Sequence, residues 1–124
     1  MSTTPLLTGI GQIAVRATDL RRATAFYRDG LGLTFLFDAP GLVFFQCGGV
    51  RLMLSGAETS EFDHPASVLY FDVADIDAAY ATLVGRGVKF RDHPHAVHRD
   101  GDRALWMAFL EDSEGNIFAI MTWK

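Results

Sequence analysis

IGQIAVRATDLRRATAFYRDGLGL, residues 10–33, has the pattern of a β-strand, a capped α-helix and a helix end marked by glycine. ASVLYFDVADIDAAYATLVGRGVKF, residues 66–90, repeats that pattern in the same order. A chain that repeats one supersecondary unit usually builds two similar halves around a shared centre. The two stretches therefore predict a fold made of two related modules.

The two copies match position by position. Gln12 stands seven residues before Asp19, and Val68 stands seven residues before Asp75. Both aspartates occupy the position of a helix N-cap, where a carboxylate accepts the first free backbone N–H groups. Apolar residues then recur with helical spacing, at Leu20, Ala23, Phe26, Tyr27 and Leu31 and at Ile76, Ala79, Tyr80 and Leu83. Glycines with positive φ are expected at both helix ends, at Gly30, Gly32, Gly85 and Gly87.

The composition is typical of one globular domain. The chain has 124 residues, of which 49% are hydrophobic. Its net charge is −4, which argues against nucleic acids and anionic membranes as partners. No apolar run is long enough to span a membrane, and the first residues lack the segments of a secretory signal. Cys47 is the single cysteine, which excludes an internal disulfide, indicates a structural role and favours a cytoplasmic location.

Each half of the chain reads β-α-β-β-β, which predicts a single α+β domain over residues 1–124. Module one spans about residues 9–55, with a helix at 20–29 and strands at 10–16, 33–37, 42–47 and 50–55. Module two spans about residues 66–124, with a helix at 76–86 and strands at 67–73, 88–92, 104–112 and 117–123. Three segments are expected to lack regular structure: the tail 1–8, the connector 56–65 and the irregular segment 93–103.

This layout resembles the vicinal oxygen chelate superfamily, which includes glyoxalase I, bleomycin resistance proteins, fosfomycin resistance proteins and extradiol dioxygenases. Three motifs carry the resemblance: the strand-Asp-Leu opening that runs into AFYRDGLGL, the second copy VADIDAAYATLVGRGV, and the closing FLEDSEGNIFAI. The closing motif is similar to the family's Phe-x-x-Asp-Pro-x-Gly-Asn turn, with Ser113 in place of proline. The resemblance implies two paired β-α-β-β-β modules, whose curved sheets surround a cup and carry helices on their outer faces.

The resemblance also assigns the two sides of each strand. Residues two apart on a strand point to the same side, so Ile13 and Val15 are expected to face the helix and Gln12, Ala14 and Arg16 the cup. Metal-dependent members place four ligands on cup-facing positions, usually His or Gln on a first strand and Glu on a last strand. With the Gly-marked turns at residues 49 and 115 aligned, those positions are Gln12, Met53, Val68 and Ala119.

Those four residues predict that the chain has lost the metal site. Divalent metals such as zinc, manganese or calcium take imidazole, carboxylate or other oxygen ligands, and a thioether suits soft copper better. Gln12 alone offers a hard oxygen. We therefore expect no metal and no cofactor.

His93, His95 and His98 crowd the irregular segment. They are either a new metal site or ordinary histidines on a loop or strand edge, and no carboxylate stands at a spacing that completes a metal site. We favour a neutral His95 as a hydrogen-bond partner or general base for a cup ligand. Tyr70 is the second catalytic candidate.

Apolar residues and a few polar groups are expected to line the cup, as in most small-molecule sites. Arg51 either clamps an anionic group of the ligand or reaches solvent from a strand end. Either Trp106 or Met107 completes the wall. The predicted ligand-binding residues are Gln12, Arg51, Met53, Val68, Tyr70, His95, Trp106, Ala119 and Met121.

The leading interpretation is a metal-free cup that binds a small, largely apolar or aromatic molecule, similar to the drug-binding branch of the family. One alternative is an enzyme of this fold, of lyase, isomerase or dioxygenase type, with metal-free acid–base chemistry or a non-standard metal site. The other is a structural dimer with a vestigial cup. A homodimer is expected in each case, because this fold leaves sheet edges that a second copy covers.

Overall fold

The computed structural model of the protein describes residue 6, residues 10–56 and residues 67–124. In chain order the elements are β1 Gln12–Arg16, α1 Leu20–Ala25, a π-helical turn Phe26–Gly30, β2 Thr34–Ala39, β3 Leu42–Cys47, β4 Val50–Ser55, β5 Tyr70–Asp72, α2 Ile76–Gly85, β6 Lys89–Phe90, β7 His95–Asp100, β8 Arg103–Glu111 and β9 Ile117–Trp123. The predicted tail and connector lie outside the described residues, apart from residues 6 and 56.

Each module forms one sheet, as the repeat predicts. The first sheet has the strand order β1-β4-β3-β2, and the second has the order β5-β9-β8-β6, with β7 also paired to β8. The first strand of each module lies parallel to the last, with Ala14 opposite Met53 and Tyr70 opposite Ala119. The two pairs stand at equivalent places in the repeat, which agrees with the predicted alignment of Met53 with Ala119.

The prediction that residues 93–103 lack regular structure is wrong, because this segment contains the strand β7. This strand pairs with β8 from His95 opposite Met107 to Asp100 opposite Arg103. All six of its residues are exposed, and a bulge interrupts the pairing between Ala96 and His98. Strands are recognised in a sequence by a two-residue alternation of hydrophobic and polar residues. β7 lacks this alternation, because neither of its faces is buried and a bulge interrupts it.

Both predicted helix caps are confirmed. The Asp19 carboxylate accepts the N–H of Arg22 at 3.0 Å, and the Asp75 carboxylate accepts the N–H of Ala78 at 3.1 Å. Each side chain satisfies a backbone donor that has no partner within the helix.

The helix ends differ from the prediction. The α-helical pairing of α1 stops at Ala25, and the chain continues in a π-helical turn in which the N–H of Leu31 donates to the carbonyl of Phe26 at 2.9 Å. Gly32 and Gly87 have positive φ, of 76° and 87°, whereas Gly30 and Gly85 lie inside the helical segments. The second glycine of each pair therefore provides the left-handed backbone that ends the helix.

One hydrophobic core joins the two modules. Its largest fully buried side chains come from both halves of the chain: Tyr27, Phe45, Phe118, Leu52, Leu54, Ile76, Leu110 and Val15. The helices α1 and α2 pack against this core side of the sheets. We call the opposite side of each sheet its open face.

The closing turn of module two binds the helix start of module one. Glu114 accepts hydrogen bonds from the N–H and the hydroxyl of Thr18, both at 2.9 Å, and from the N–H of Asp19 at 3.3 Å. Nearby, the buried Asp112 accepts the hydroxyl of Tyr27 at 2.7 Å. Burial and this carboxylate together raise the pKa of Tyr27 far above its ordinary value. Tyr27 therefore stays a neutral donor that holds the modules together.

Candidate functional site

The open face of the first sheet carries the cup-facing side chains that the alternation predicts. On β1, Val15 is fully buried in the core, whereas Gln12 and Ala14 are exposed. On β4, Leu52 and Leu54 are buried, and the intervening Arg51 and Met53 lie on the open face. The predicted sides of Gln12, Ile13, Ala14 and Val15 on β1 are therefore confirmed.

Two aromatic rings and a cation lie together on this face. The rings of Phe37 and Phe44 stack with centroids 4.5 Å apart and an interplanar angle of 27°. The guanidinium carbon of Arg51 lies 5.6 Å from the centroid of each ring. Within the described parts of the chain, no carboxylate lies within ion-pair distance of Arg51 and no acceptor takes its side-chain donors. We call Phe37, Phe44 and Arg51 the aromatic–arginine cluster.

An open hollow of about 430 Å³ adjoins this cluster, lined by Gly11, Gln12, Gln46, Gly49 and Arg51. The amide nitrogen of Gln12 contacts the sulfur of Met53 at 3.6 Å. The structure thus brings together the three predicted site residues of module one, which are Gln12, Arg51 and Met53.

The open face of the second sheet carries another row of predicted residues. Tyr70 pairs with Ala119, and Ala119 pairs with Phe109 on the next strand. The rings of Tyr70 and Phe109 meet edge to face across the small alanine, with centroids 6.1 Å apart. Ala119 is therefore fully buried, whereas Tyr70 is 49% exposed.

The remaining predicted residues of module two lie around that row. Met121 pairs with Met107, which in turn pairs with His95, so these three form a second row on the open face. Val68 precedes β5 and is exposed. The structure places these residues on one face, but on a different sheet from Gln12, Arg51 and Met53.

Trp106 does not lie on the open face, so its predicted place in the cup wall is corrected to Met107. Trp106 alternates with Leu105 and Met107 along β8 and packs against the hydrophobic core. The Lys124 ammonium lies 4.6 Å from the centre of its ring. Because neighbouring residues on a strand point to opposite sides, one of Trp106 and Met107 faces the core and the other the open face. The large Trp106 ring packs against the core, so Met107 lies on the open face.

The three histidines have separate partners. Nδ1 of His93 lies 3.0 Å from the hydroxyl of Tyr80, and the ring of His98 lies edge to face with Trp123 at 6.1 Å. Nδ1 of His95 lies 2.8 Å from the carbonyl oxygen of His93. Since a carbonyl only accepts, Nδ1 of His95 carries a proton, and the Asp92 carboxylate lies 4.0 Å from the same nitrogen. The side chain is half exposed, and Nε2 is the ring nitrogen left for other contacts.

The residues at the family's metal positions do not fit a divalent ion. Val68 and Ala119 have no donor atom, and Ala119 lies under two aromatic rings. The amide nitrogen of Gln12 points to the thioether of Met53. Across the described ranges, no group of three or more His, Cys, Asp or Glu side chains is arranged to hold a metal. A borderline metal needs three or more nitrogen, oxygen or thiolate ligands, and this set supplies one amide oxygen.

Phe37, Gln46 and Phe109 were not predicted as site residues. A two-residue count along β3 and β8 places Gln46 and Phe109 on the open faces once the register is known. Phe37 gives no such signal, because a bulge between Phe35 and Phe37 shifts the pairing of β2 and brings Phe37 opposite Phe44.

Burial raises the pKa of the Cys47 thiol, which disfavours the reactive thiolate form. Among the described residues, no helix has the length and apolar character needed to cross a membrane.

The chain is similar to known proteins over most of its length. It is 28% identical, over 126 aligned positions, to the uncharacterized protein YraH of Bacillus subtilis, an alignment that covers 88% of this chain and 94% of that protein. Its structure superposes on the lactoylglutathione lyase of Agrobacterium tumefaciens with a TM-score of 0.69 and 26% identity, covering 93% of each chain.

A third relative supports the same fold. A glyoxalase/bleomycin resistance protein/dioxygenase from Alicyclobacillus acidocaldarius superposes with a TM-score of 0.73 and 19% identity, covering 91% of this chain and 89% of that one. The family model of this superfamily matches residues 9–120, which cover module one and most of module two. The chain therefore belongs to the Glyoxalase/Bleomycin resistance protein/Dioxygenase superfamily.

Proposed function

We propose that the open faces of the two sheets bind a small, largely apolar or aromatic molecule without a metal ion. The observation that carries the proposal is the replacement of the family's metal positions by Gln12, Met53, Val68 and Ala119 beside exposed aromatic rings. Apolar walls with a few polar groups are typical of small-molecule sites. The Phe37 and Tyr70 rings supply such a wall on each sheet, where they are 45% and 49% exposed.

A homodimer belongs to this proposal. The predicted site residues lie on two sheets that share no strand pairing among the described residues. A second copy that brings its second sheet over the first sheet of its neighbour closes the cup and covers both open faces. The single cysteine is consistent with a reducing compartment, and we assign the protein to the cytoplasm on that basis.

A metal-free enzyme is the second candidate, and the geometry of His95 is the observation that favours it. A neutral imidazole with its tautomer set by a backbone carbonyl offers Nε2 as a general base. Deuterium exchange into the acidic methylene of phenylpyruvate, compared between wild type, His95→Gln and His98→Gln, separates the two candidates. Exchange that depends on His95 alone supports catalysis, whereas no exchange above the solvent rate leaves binding as the function.

Binding of a neutral fluorescent aromatic probe tests the proposed function. We expect N-phenyl-1-naphthylamine to bind equally well before and after chelator treatment, and elemental analysis of untagged protein to find no stoichiometric nickel, zinc, manganese or iron. Tight stoichiometric metal binding that Gln12→Ala abolishes, or probe binding that chelation removes, would contradict the metal-free site.

A pair of variants locates the probe. Tyr70 and Val84 have similar exposed fractions, 49% and 46%, but Val84 lies on helix α2, away from the open face. Tyr70→Ala should weaken probe binding several-fold, because an aromatic contact is worth about 0.5–1.5 kcal/mol. Val84→Ala should leave it unchanged. Equal effects of the two substitutions would place the probe elsewhere on the protein.

A further inference from the structure

We infer that the ligand of the first sheet is a planar aromatic carboxylate, held by the aromatic–arginine cluster of Phe37, Phe44 and Arg51. This inference rests on the proposed function and names the chemistry of its ligand. Three observations support it: a cation with no anionic partner among the described residues, an aromatic stack beside that cation, and an open hollow that the cation lines.

The first observation is that Arg51 has no anionic partner among the described residues. A guanidinium is always charged and carries five N–H donors in a planar fork that matches the two oxygens of a carboxylate. Among the residues that the structure describes, the polar and ring contacts of this side chain are cation–π contacts with two aromatic rings. These contacts use its charge and leave its N–H donors unused. The other open-face groups near it, the amides of Gln12 and Gln46, are neutral. No carboxylate of the described residues therefore pairs with the Arg51 guanidinium, although the chain as a whole carries a net charge of −4.

The second observation is the aromatic stack. Phe44 is 8% exposed and supports Phe37, whose ring is 45% exposed. Phe37 thus presents a face to which a flat ring can stack, and Phe44 holds it in place from below. An aliphatic acid would use the cation but not this surface.

The third observation is the space around the cluster. The hollow of about 430 Å³ opens beside Arg51 and contains the side chains of Gln12 and Gln46. The amide nitrogen of Gln46 donates to the carbonyl of Gly48 at 2.6 Å, whereas that of Gln12 has the thioether of Met53 as its acceptor. A thioether is a weak acceptor, so Gln12 can turn its amide N–H to a carboxylate oxygen. A carboxylate bound here meets the Arg51 fork and the Gln12 amide, while its ring lies on Phe37.

A matched ligand pair tests the inference. 2-Naphthoate and 2-naphthamide have the same ring system and nearly the same shape, and they differ in charge. We expect wild type to prefer naphthoate, with an affinity that falls as sodium chloride is raised. Arg51→Gln should lower naphthoate affinity roughly tenfold to a hundredfold, the range typical of hydrogen bonds to charged groups. Binding of naphthamide should not change.

Further variants separate the role of the Arg51 guanidinium from that of the Phe37 ring. Arg51→Lys keeps the charge and loses the fork, so its naphthoate affinity should lie between those of wild type and Arg51→Gln. Phe37→Leu should weaken both ligands, since it removes the stacking surface. Arg99→Gln is the control, because Arg99 is an exposed arginine on β7 of the other sheet. Thermal unfolding of each variant checks that it is folded.

The outcomes distinguish this inference from the proposed function. If N-phenyl-1-naphthylamine binds but naphthoate and naphthamide bind equally, the function stands and the anionic ligand is wrong. If none of the three binds, both fail. If Arg51→Gln weakens self-association and naphthoate is not preferred, a carboxylate of a second copy occupies the guanidinium and the inference is overturned.

Discussion

Glu114 shows how one side chain links the two modules. Its side chain is 5% exposed, its carboxylate accepts three hydrogen bonds from Thr18 and Asp19, and the Arg22 guanidinium lies 3.6 Å away. Burial raises the pKa of this carboxyl, but the hydrogen bonds and the Arg22 charge outweigh burial and lower it below its ordinary value. The charged form is therefore stabilised by folding.

The lowered pKa of Glu114 predicts a pH-dependent contribution to stability. A group whose pKa falls on folding stabilises the protein above its unfolded pKa, and this stabilisation is lost as pH falls through the folded value. Glu114→Gln should lower the free energy of unfolding at neutral pH by about 1–3 kcal/mol, since hydrogen bonds to a charged group are lost. The difference from wild type, measured by denaturant unfolding, should shrink below the ordinary Glu pKa of about 4.3. Asp102→Asn, at an exposed residue of the turn between β7 and β8, is the control and should show no such pH dependence. A difference that grows in acid would contradict this role.

At the scale of elements, each module depends on a helix that a single aspartate begins. Asp19 and Asp75 cap helices of 6 and 10 residues, and such short helices are marginal without caps and tertiary packing. The π-helical turn after α1 carries Tyr27, so the cap at one end and the Tyr27–Asp112 hydrogen bond at the other hold the same segment.

Removing either cap should weaken the fold but not the site. Asp19→Ala and Asp75→Ala should each lower the free energy of unfolding by about 1 kcal/mol, with binding of N-phenyl-1-naphthylamine retained. Chemical denaturation measures the first effect and fluorescence titration the second. Asp102→Ala, in the exposed turn between β7 and β8, is the control. Unchanged stability in both cap variants would mean that the caps contribute nothing.

At the scale of the whole molecule, the modules pack through their core side and leave both open faces and several sheet edges uncovered. β1 pairs with β4 and β5 with β9, so each first strand has one unpaired edge within the described residues. Three apolar residues of the edge strand β2 are exposed, with 37% to 45% of their surface accessible: Phe35, Leu36 and Phe37. Unpaired apolar edges are normally covered in native proteins.

We therefore expect a homodimer in solution. Light scattering or sedimentation at micromolar concentration should give twice the mass of 13.7 kDa. Leu36→Lys, which adds a charge to the exposed edge, tests whether β2 lies in the interface, with Val84→Lys on α2 as a control of similar exposure. A monomer mass for the wild type would refute the dimer.

The sequence by itself determined the repeat, both caps, the order of the elements apart from β7 and the π-helical turn, the sides of β1 and the family. These features follow from local rules, because capping, alternation and turns depend on neighbours within a few residues. Only the tertiary structure decided the features that join distant residues. Glu114 meets Thr18 across 96 positions, the bulge in β2 brings Phe37 to Phe44, and core packing turns Trp106 away from the open face. Local patterns determine which side chains share a face of one strand, but strand register and packing between modules determine which of those side chains meet.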